Sequence, residues 1–220
     1  MIWNWQFAFD EVLPRLLAVV PVTIGATLLG FGIAATLGLA FAVLRMIRSP
    51  WIAVPTYEFS EFIRGTPILV QIFFLFFILP SVGIVLPPFT TGVLAFGLHY
   101  ATYCSEVYRS GLENVSRGQW EAAKALNLST YVTIRDIILP QAIPPIVPAL
   151  GNYLISMFKE TPLLALVAVV EIMQEAKLIG AETFRYTEPI TMAGAFFLVM
   201  SLLSAFLLGR LERWCNGKAR

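Results

Sequence analysis

Charged side chains inside apolar segments are the residues of this chain that could do chemistry. Lys159 and Glu160 interrupt the apolar run 145–170, and because adjacent helical residues point about 100° apart they are not expected to pair with each other. An ionisable group inside a membrane span is costly, so it faces a partner or a water-filled cavity. Two hypotheses stay open: salt bridges between helices, or a lining for the path of a polar solute. The candidate residues for either role are Glu58, Glu61, Arg64, Lys159 and Glu160.

Sequence patterns typical of enzymes are missing. The chain has no G-x-x-x-x-G-K-[ST] phosphate-binding loop, no H-E-x-x-H and no C-x-x-C. The single histidine, His99, has no nearby carboxylate in sequence and is interpreted as a hydrogen-bonded packing residue rather than a proton relay. We therefore predict no catalytic residue, no metal site and no cofactor bound by this chain.

The composition is that of a protein solvated by lipid. The 220 residues are 58% hydrophobic and 13% charged, with a mean hydropathy of +0.77. A soluble domain carries about 25% charged residues, whereas a bilayer tolerates an apolar exterior. The net charge of +1 gives no indication of a nucleic-acid partner. We expect one integral membrane domain over residues 1–220, in contact with the lipid membrane.

Five apolar runs along the chain are long enough to cross a bilayer. About 20 helical residues cover the roughly 30 Å of hydrocarbon at 1.5 Å per residue. The second and third runs form a predicted helical hairpin, because Pro80 and the pair Pro87 and Pro88 break the apolar stretch 65–105. Lys159 and Glu160 leave a count of four or six open. The predicted spans are about 16–45, 60–80, 89–108, 145–170 and 190–209.

The distribution of basic residues predicts the direction of the spans. Eleven lysines and arginines lie on one set of connecting segments and three on the other, and the richer set faces the cytoplasm. The loop 108–143 and the C-terminus are therefore expected to be cytoplasmic, and the N-terminus to be outside. This orientation predicts a multi-pass protein of a plasma membrane.

Small residues recur at every fourth position of the first span. On a helix they form a smooth stripe that lets another backbone approach closely. We interpret the stripe as intramolecular packing, with a subunit interface as the alternative. Its members are Ala26, Gly30, Ala34, Gly38 and Ala42.

The predicted cytoplasmic segment 116–140 contains two short helices and a turn. Ser116 with Gln119 three residues on predicts a capping box, and strong helix formers follow. Asn127 tolerates the left-handed conformation that ends many helices. A second helix, over about 130–138, is expected to stop before Pro140, because the residue before a proline disfavours the helical conformation.

This segment resembles the EAA loop of the permease subunits of ABC importers. The resemblance rests on the Glu-Ala-Ala run, a turn residue six positions after the Glu, and the Ile-x-Leu-Pro ending. The turn residue is Asn here where the family usually has Gly, a replacement that keeps the same backbone conformation accessible. The residues that carry the resemblance are Glu121, Ala122, Ala123, Asn127, Ile137, Leu139 and Pro140.

The resemblance implies an all-α integral membrane protein with the MetI-like fold of type I importer permeases. These seven residues would form a coupling helix that docks on a separate ATPase. The implied partners are a dimer of ATPase subunits, which bind ATP and Mg, a second permease subunit, homologous or identical, and a periplasmic or extracellular solute-binding protein. The implied location is the bacterial inner membrane, and the implied mechanism is alternating access.

Two further stretches resemble the polar amino acid branch of these permeases. Residues 61–71 read EFIRGTPILVQ, and residues 158–161 read FKET, followed by Pro162 where the branch usually has Ser. The resemblance is strongest to permeases for ectoine and hydroxyectoine, which are zwitterionic compatible solutes. Glutamate, glutamine, histidine or arginine are the alternative cargoes. A secondary transporter driven by ion gradients is a more distant alternative, because five spans without an inverted repeat argue against it.

Overall fold

The computed structural model describes residues 3–218, with side chains from Trp3 to Trp214, and this part of the chain is helical with no strand. The expected all-α fold is thereby confirmed. Three helices contain π turns and two end in 3₁₀ turns. The helices, numbered in chain order, are α1 (Trp5–Met46), α2 (Pro50–Gly65), α3 (Ile68–Val82), α4 (Pro88–Glu113), α5 (Arg117–Ala125), α6 (Thr130–Val167), α7 (Ile172–Thr183) and α8 (Thr187–Lys218).

Three of the described helices are long and apolar enough to cross a membrane, namely α1, α6 and α8, and the bent pair of α2 and α3 makes a fourth if it counts as one span. The predicted span 89–108 lies in α4, which has 26 residues and is therefore about 39 Å long. Polar side chains such as His99 and Glu106 lower its hydropathy, although much of α4 is buried between other helices. The count of five spans remains a prediction.

The predicted span 60–80 is not one straight helix. The axes of α2 and α3 differ by 100° at a break between Gly65 and Ile68. Thr66 there is extended, with φ −99° and ψ 131°, because Pro67 disfavours the helical conformation in the residue before it. Residues 60–65 therefore belong to a separate helix that runs across the direction of α3.

The predicted hairpin is present and consists of α3 and α4. Gln71 on α3 lies beside His99 on α4, with 3.0 Å between Nε2 and Nδ1. Arg64, just before α3, lies beside Glu106, with 3.3 Å between Nη1 and Oε1. At 1.5 Å per residue, Glu106 is about 27 Å from the first residue of α4, close to the roughly 30 Å of a hydrocarbon layer.

The small-residue stripe of α1 is buried against α4 within the chain, so the prediction of intramolecular packing is confirmed. A Cβ added at Gly38 would lie 2.6 Å from the Cβ of Cys104 and 2.8 Å from the carbonyl oxygen of Ala101. Only a glycine allows this approach of the two backbones. The same packing continues at Gly30, which faces Phe96 and Met157.

Helix α7 is tied to α1 by charge and by its own cap. Arg15 of α1 pairs with Glu175 and Glu182 of α7, each at 2.6 Å. Glu171 precedes α7 and accepts hydrogen bonds from the backbone N–H groups of Met173 and Gln174, at 3.0 and 2.7 Å. Burial raises the pKa of Glu171, against the two N–H donors that lower it. The end of the molecule that carries the N-terminus is thereby held together by polar contacts.

Candidate functional site

The segment that carries the Glu-Ala-Ala run forms a short helix with a sharply defined end. Ser116 occupies the N-cap position of α5, but its side chain makes no capping hydrogen bond, so the predicted capping box is wrong. The other end matches the prediction. Asn127 adopts the left-handed conformation, with φ +51°.

Two backbone hydrogen bonds around Asn127 close the helix. The N–H of Leu128 donates to the carbonyl of Ala123 at 3.1 Å, and the N–H of Asn127 donates to that of Lys124 at 3.0 Å. These are the two bonds of a Schellman motif. The chain therefore reverses at Asn127 and leads directly into α6.

One face of α5 packs on the chain and the opposite face is bare. Ala123 is 2% exposed and lies against the start of α6. The exposed side carries small residues, Ala122 and Ala125 among them, together with Glu121. Apolar side chains flank it, since Leu126 is 72% and Tyr131 69% exposed. A smooth surface with apolar margins suits close docking of another protein, and Ala123 positions that surface rather than forming it.

The second helix of the loop does not stop at Pro140, so that prediction is wrong. Residues Thr133–Ile138 form a π turn, and the helix continues through Leu139–Glu160. The wider π turn accommodates a proline, which lacks an N–H and would crowd the preceding turn of a regular α-helix. Ile137 is half-buried, whereas Leu139 and Pro140 are exposed. One helix therefore joins the loop to Glu160.

At the far end of this helix, Glu160 meets an aromatic cluster. The hydroxyl of Tyr100 donates to Oε2 of Glu160 at 2.9 Å. The rings of Tyr100, Tyr103 and Tyr153 lie 5.5 to 6.0 Å apart by their centroids. His99 lies 5.2 Å from the ring of Tyr103. The cluster places three hydroxyls and a carboxylate between α4 and α6.

His99 is hydrogen-bonded to Gln71, as expected of a packing residue. The Nε2 of Gln71 also lies 2.7 and 3.0 Å from the carbonyl oxygens of Ile63 and Thr66, so its two N–H groups are shared among these three acceptors. This side chain therefore holds the break between α2 and α3 against α4. Its role explains the glutamine at the end of the 61–71 motif.

One charged candidate of α2, Arg64, pairs with a residue that sequence reasoning missed. Glu106 of α4 binds Arg45 of α1 at 2.6 Å, Arg64 of α2 at 3.3 Å and Arg109 of α4 at 2.9 Å. Arg64 also pairs with Glu61. Glu106 lies inside the predicted span 89–108, and an ionisable residue in a span is the signal that could have identified it.

The structure does not bring the two predicted sets of charges together. Glu160 bonds to Tyr100, and Arg64 bonds to Glu61 and Glu106. Lys159 is exposed and makes no ion pair within the part of the chain that the structure describes. Glu58 is exposed and lines a shallow pocket with Arg45 and Arg109. No salt bridge in the described residues therefore links α2 to Lys159 or Glu160.

Polar residues below the aromatic cluster continue along one side of α4. From Tyr100 they recur at intervals of three or four residues, which places them on one face of a helix. A cavity of about 260 Å³ lies along the lower part of this face, between α4 and α6, and is lined by Glu106, Ser110 and Asn114 among others. We call this face the polar stripe, and its members are Tyr100, Tyr103, Glu106, Ser110 and Asn114.

The described residues contain no group of three or more His, Cys, Asp or Glu side chains that could hold a metal ion. A continuous helix instead links a bare docking surface to a cluster of hydroxyls and one carboxylate. Such an arrangement can transmit a displacement and bind a polar solute.

Comparison with known proteins identifies the class. Residues 34–216 match the family described as the inner membrane component of binding-protein-dependent transport systems, and the chain belongs to this family. A relative in Sinorhizobium fredii, named as a probable amino-acid ABC transporter permease protein, is 47% identical over 93% of this chain and 89% of its own length. A nopaline transport system permease protein of Agrobacterium fabrum is 32% identical over 96% of this chain and 91% of its own.

Solved structures agree on the fold. One chain from a crystal structure of an amino acid ABC transporter with histidines superposes with a TM-score of 0.91, at 33% identity, over 97% of this chain and 99% of the other. An inward-facing methionine ABC transporter, at 18% identity, superposes with a TM-score of 0.76 over 94% and 98% of the two chains. The protein therefore has the MetI-like permease fold.

Proposed function

We propose that this chain is the membrane-spanning subunit of an ATP-driven importer of polar amino acids or closely related zwitterions. The observation that carries the proposal is the single helix α6, which joins the bare docking surface on α5 to the Tyr100–Glu160 contact. The energy for transport comes from a separate ATPase dimer that binds ATP and Mg, and this chain itself is not an enzyme. The names of its relatives support an amino-acid cargo.

The proposed assembly contains two permease subunits, two ATPases and a solute-binding protein. The ATPase docks on the cytoplasmic side, where the C-terminus also lies, and buried Ala123 positions the docking surface. The other docking residues are Glu121, Ala122, Asn127, Ile137, Leu139 and Pro140. The binding protein delivers its cargo on the opposite side, with the N-terminus. Closure of the ATPase dimer moves α5, and the helix α6 carries this movement to Glu160 in an alternating-access cycle.

The aromatic cluster and the polar stripe form the proposed solute path. A zwitterion loses its hydration when it enters an apolar environment, and hydroxyls and carboxylates replace part of that hydration. The three tyrosines offer ring faces and hydroxyls, and Glu160 offers a negative charge. An ammonium or amidinium group of the cargo binds such a site through the ring faces and the carboxylate.

The cargo we favour is a free amino acid or ectoine, both of which carry a cationic nitrogen and a carboxylate. Ectoine and hydroxyectoine rest on the sequence resemblance alone. Uptake into proteoliposomes of radiolabelled glutamine, histidine, arginine and ectoine, each supplied with the cognate binding protein and internal ATP, distinguishes them. Saturable uptake of none of these four compounds would contradict the proposed substrate class.

The coupling role is tested by a bulky residue on the bare face of α5. Ala122→Trp is expected to abolish both ATP-driven uptake and co-purification of the ATPase, because the indole keeps the docked surfaces apart. Lys124→Trp is the matched control, since two residues along a helix rotate the side chain by about 200° to the other side. ATP-driven uptake that survives Ala122→Trp would contradict the proposal.

A further inference from the structure

Helix α2 has both of its ends at the level where α1 ends. Its first residue, Pro50, follows the last residue of α1, Met46, by four positions. Near its other end, Arg64 reaches the same oxygen of Glu106 that Arg45 binds, at 3.3 and 2.6 Å. Arg45 is the residue before Met46. A helix of 16 residues is about 24 Å long, so α2 cannot run along α1 and still satisfy both contacts.

The direction of α3 gives the same result independently. The two helix axes differ by 100°, and α3 runs antiparallel to α4 as one arm of the hairpin. If α3 and α4 cross the membrane, α2 lies nearly in the membrane plane. Its depth is then that of the charged cluster around Glu106, at the boundary between hydrocarbon and water.

A helix at the boundary between hydrocarbon and water has a side that packs on the protein, a charged side and an apolar side, and the surface of α2 has all three. One side packs on the protein through Ser60 and Ile63, which are 0% and 7% exposed. A second side carries Glu61 and Arg64, whereas Glu58, four residues before Phe62, lies at the edge of the apolar side. A third side is apolar: Trp51, Phe59 and Phe62 are 88%, 45% and 69% exposed, and of these Phe59 has a ring contact with Phe41 of α1.

The apolar side of α2 continues into a groove inside the bend. The groove has a volume of about 350 Å³ and lies between α2, α3 and α4. Phe59, Phe62 and Phe74 line it together with other apolar side chains, and only Thr66 and Gln71 of its lining are polar. Its chemistry fits a hydrocarbon chain.

A charge at the start of α2 indicates which kind of lipid binds there. Arg48 lies just before α2, is exposed, and makes no ion pair within the described residues. An arginine one turn from an exposed tryptophan is the combination that anchors a helix among anionic headgroups.

We propose that α2 is an interfacial helix. It binds the phospholipids of the leaflet that lies at the same end of the molecule as the arginine cluster around Glu106. Trp51 and Phe62 enter the acyl region from the side of the helix, an acyl chain fills the groove inside the bend, and Arg48 binds anionic headgroups. The lipid surface is the partner of this face of α2.

Spin labels on the two ends of α2 test the proposal. Trp51→Cys and Phe62→Cys are made separately in the full chain with Cys104 and Cys215 replaced by Ala, and reconstituted in vesicles of phosphatidylethanolamine and phosphatidylglycerol at a ratio of three to one. Both labels are expected to relax with oxygen and not with a water-soluble nickel chelate, at equal depth. Glu61→Cys is the control on the charged side and is expected to respond to the nickel chelate.

Two outcomes would overturn the proposal. A transmembrane α2 would separate the depths of positions 51 and 62 by about 16 Å, because they are eleven residues apart on one side of the helix. A second copy of the chain on this face would shield both labels from both reagents. A measurement without spin labels keeps the proposal testable if the cysteine variants misfold. Brominated phospholipid is expected to quench the tryptophan fluorescence of the unmodified chain more than that of Trp51→Phe. Equal quenching of the two would contradict the lipid contact.

Discussion

At the scale of single residues, two side chains decide the geometry of the proposed function. Asn127 ends α5 in a left-handed conformation and so sets where α6 begins. Glu160 lies at the C-terminal end of the helical segment Leu139–Glu160 of α6 and accepts a hydrogen bond from the hydroxyl of Tyr100. The first residue positions the proposed docking surface, and the second places a charge in the proposed solute path.

Replacement of Glu160 tests its place in the path. Glu160→Gln keeps the size of the side chain and the bond to Tyr100 but removes the charge. We expect the KM of uptake to rise about tenfold, equivalent to about 1.4 kcal/mol, with an unchanged amount of assembled transporter. The matched control is Lys159→Gln, an exposed neighbour that should leave KM unchanged. Equal effects of the two changes on KM would remove Glu160 from the proposed path.

The backbone of Asn127 makes a second prediction at this scale. Asn127→Val places a β-branched side chain at φ +51°, which costs about 1 to 2 kcal/mol in the left-handed region. Asn127→Gly carries no such cost. We expect the valine variant to lose ATP-driven uptake and the glycine variant to keep it. Full activity of Asn127→Val would show that the turn does not need this conformation.

At the scale of elements, contact between α1 and α4 forms the centre of the molecule. The smooth side of α1 lies directly on α4 because glycine and alanine allow the two backbones to approach. In lipid, van der Waals packing replaces the hydrophobic effect as the force that holds two helices together. Each added methyl group at this contact therefore has a measurable effect.

Two glycines of α1 form a matched pair for testing this packing. Gly38→Ala adds a Cβ 2.6 Å from that of Cys104 and is expected to destabilise the chain by about 1 to 3 kcal/mol. Gly32→Ala meets nothing within 4 Å and is expected to be neutral or to stabilise by up to about 1 kcal/mol. Thermal unfolding of the two variants in the same detergent compares them. If Gly38→Ala unfolds at the same temperature as Gly32→Ala, the contact is looser than described.

At the scale of the whole molecule, Glu106 joins α4 to the consecutive helices α1 and α2. It binds Arg45 of α1 and Arg64 of α2 from its own position on α4. Arg45 is 9% exposed, so removal of its partner would leave a nearly buried charge uncompensated. Glu106 therefore holds α2 across the end of the α1–α4 pair.

The loss of Glu106 should destabilise the chain as a unit. Glu106→Gln removes three ion pairs, whereas Glu113→Gln on the same helix removes one exposed pair with Arg109. We expect the first variant to unfold at a clearly lower temperature, with a loss of about 3 kcal/mol, and the second to lose less than about 1 kcal/mol. Similar melting temperatures for the two variants would mean that the three-helix junction contributes little.

Much of the fold was predictable from sequence because it depends on local patterns. Uncharged runs of sufficient length predict helices in lipid, whatever their neighbours are. The hairpin follows from prolines at its turn, and the left-handed Asn127 follows from the tolerance of that side chain for φ > 0. The small-residue side of α1 was also predictable, because residues that recur every four positions lie on one side of a helix.

The remaining features were decided by the tertiary structure. The bond from Tyr100 to Glu160 joins residues 60 positions apart, and the pair of Arg45 and Glu106 joins residues 61 positions apart. Such contacts depend on how whole helices pack, and the charges of neighbouring residues do not predict them. The passage of α6 through Pro140 and the 100° bend before α3 have the same origin, because packing determines whether a proline is accommodated by a π turn or marks a break. Sequence alone therefore determined the class of membrane protein and its docking loop, and only the packing of its helices decided which polar groups meet.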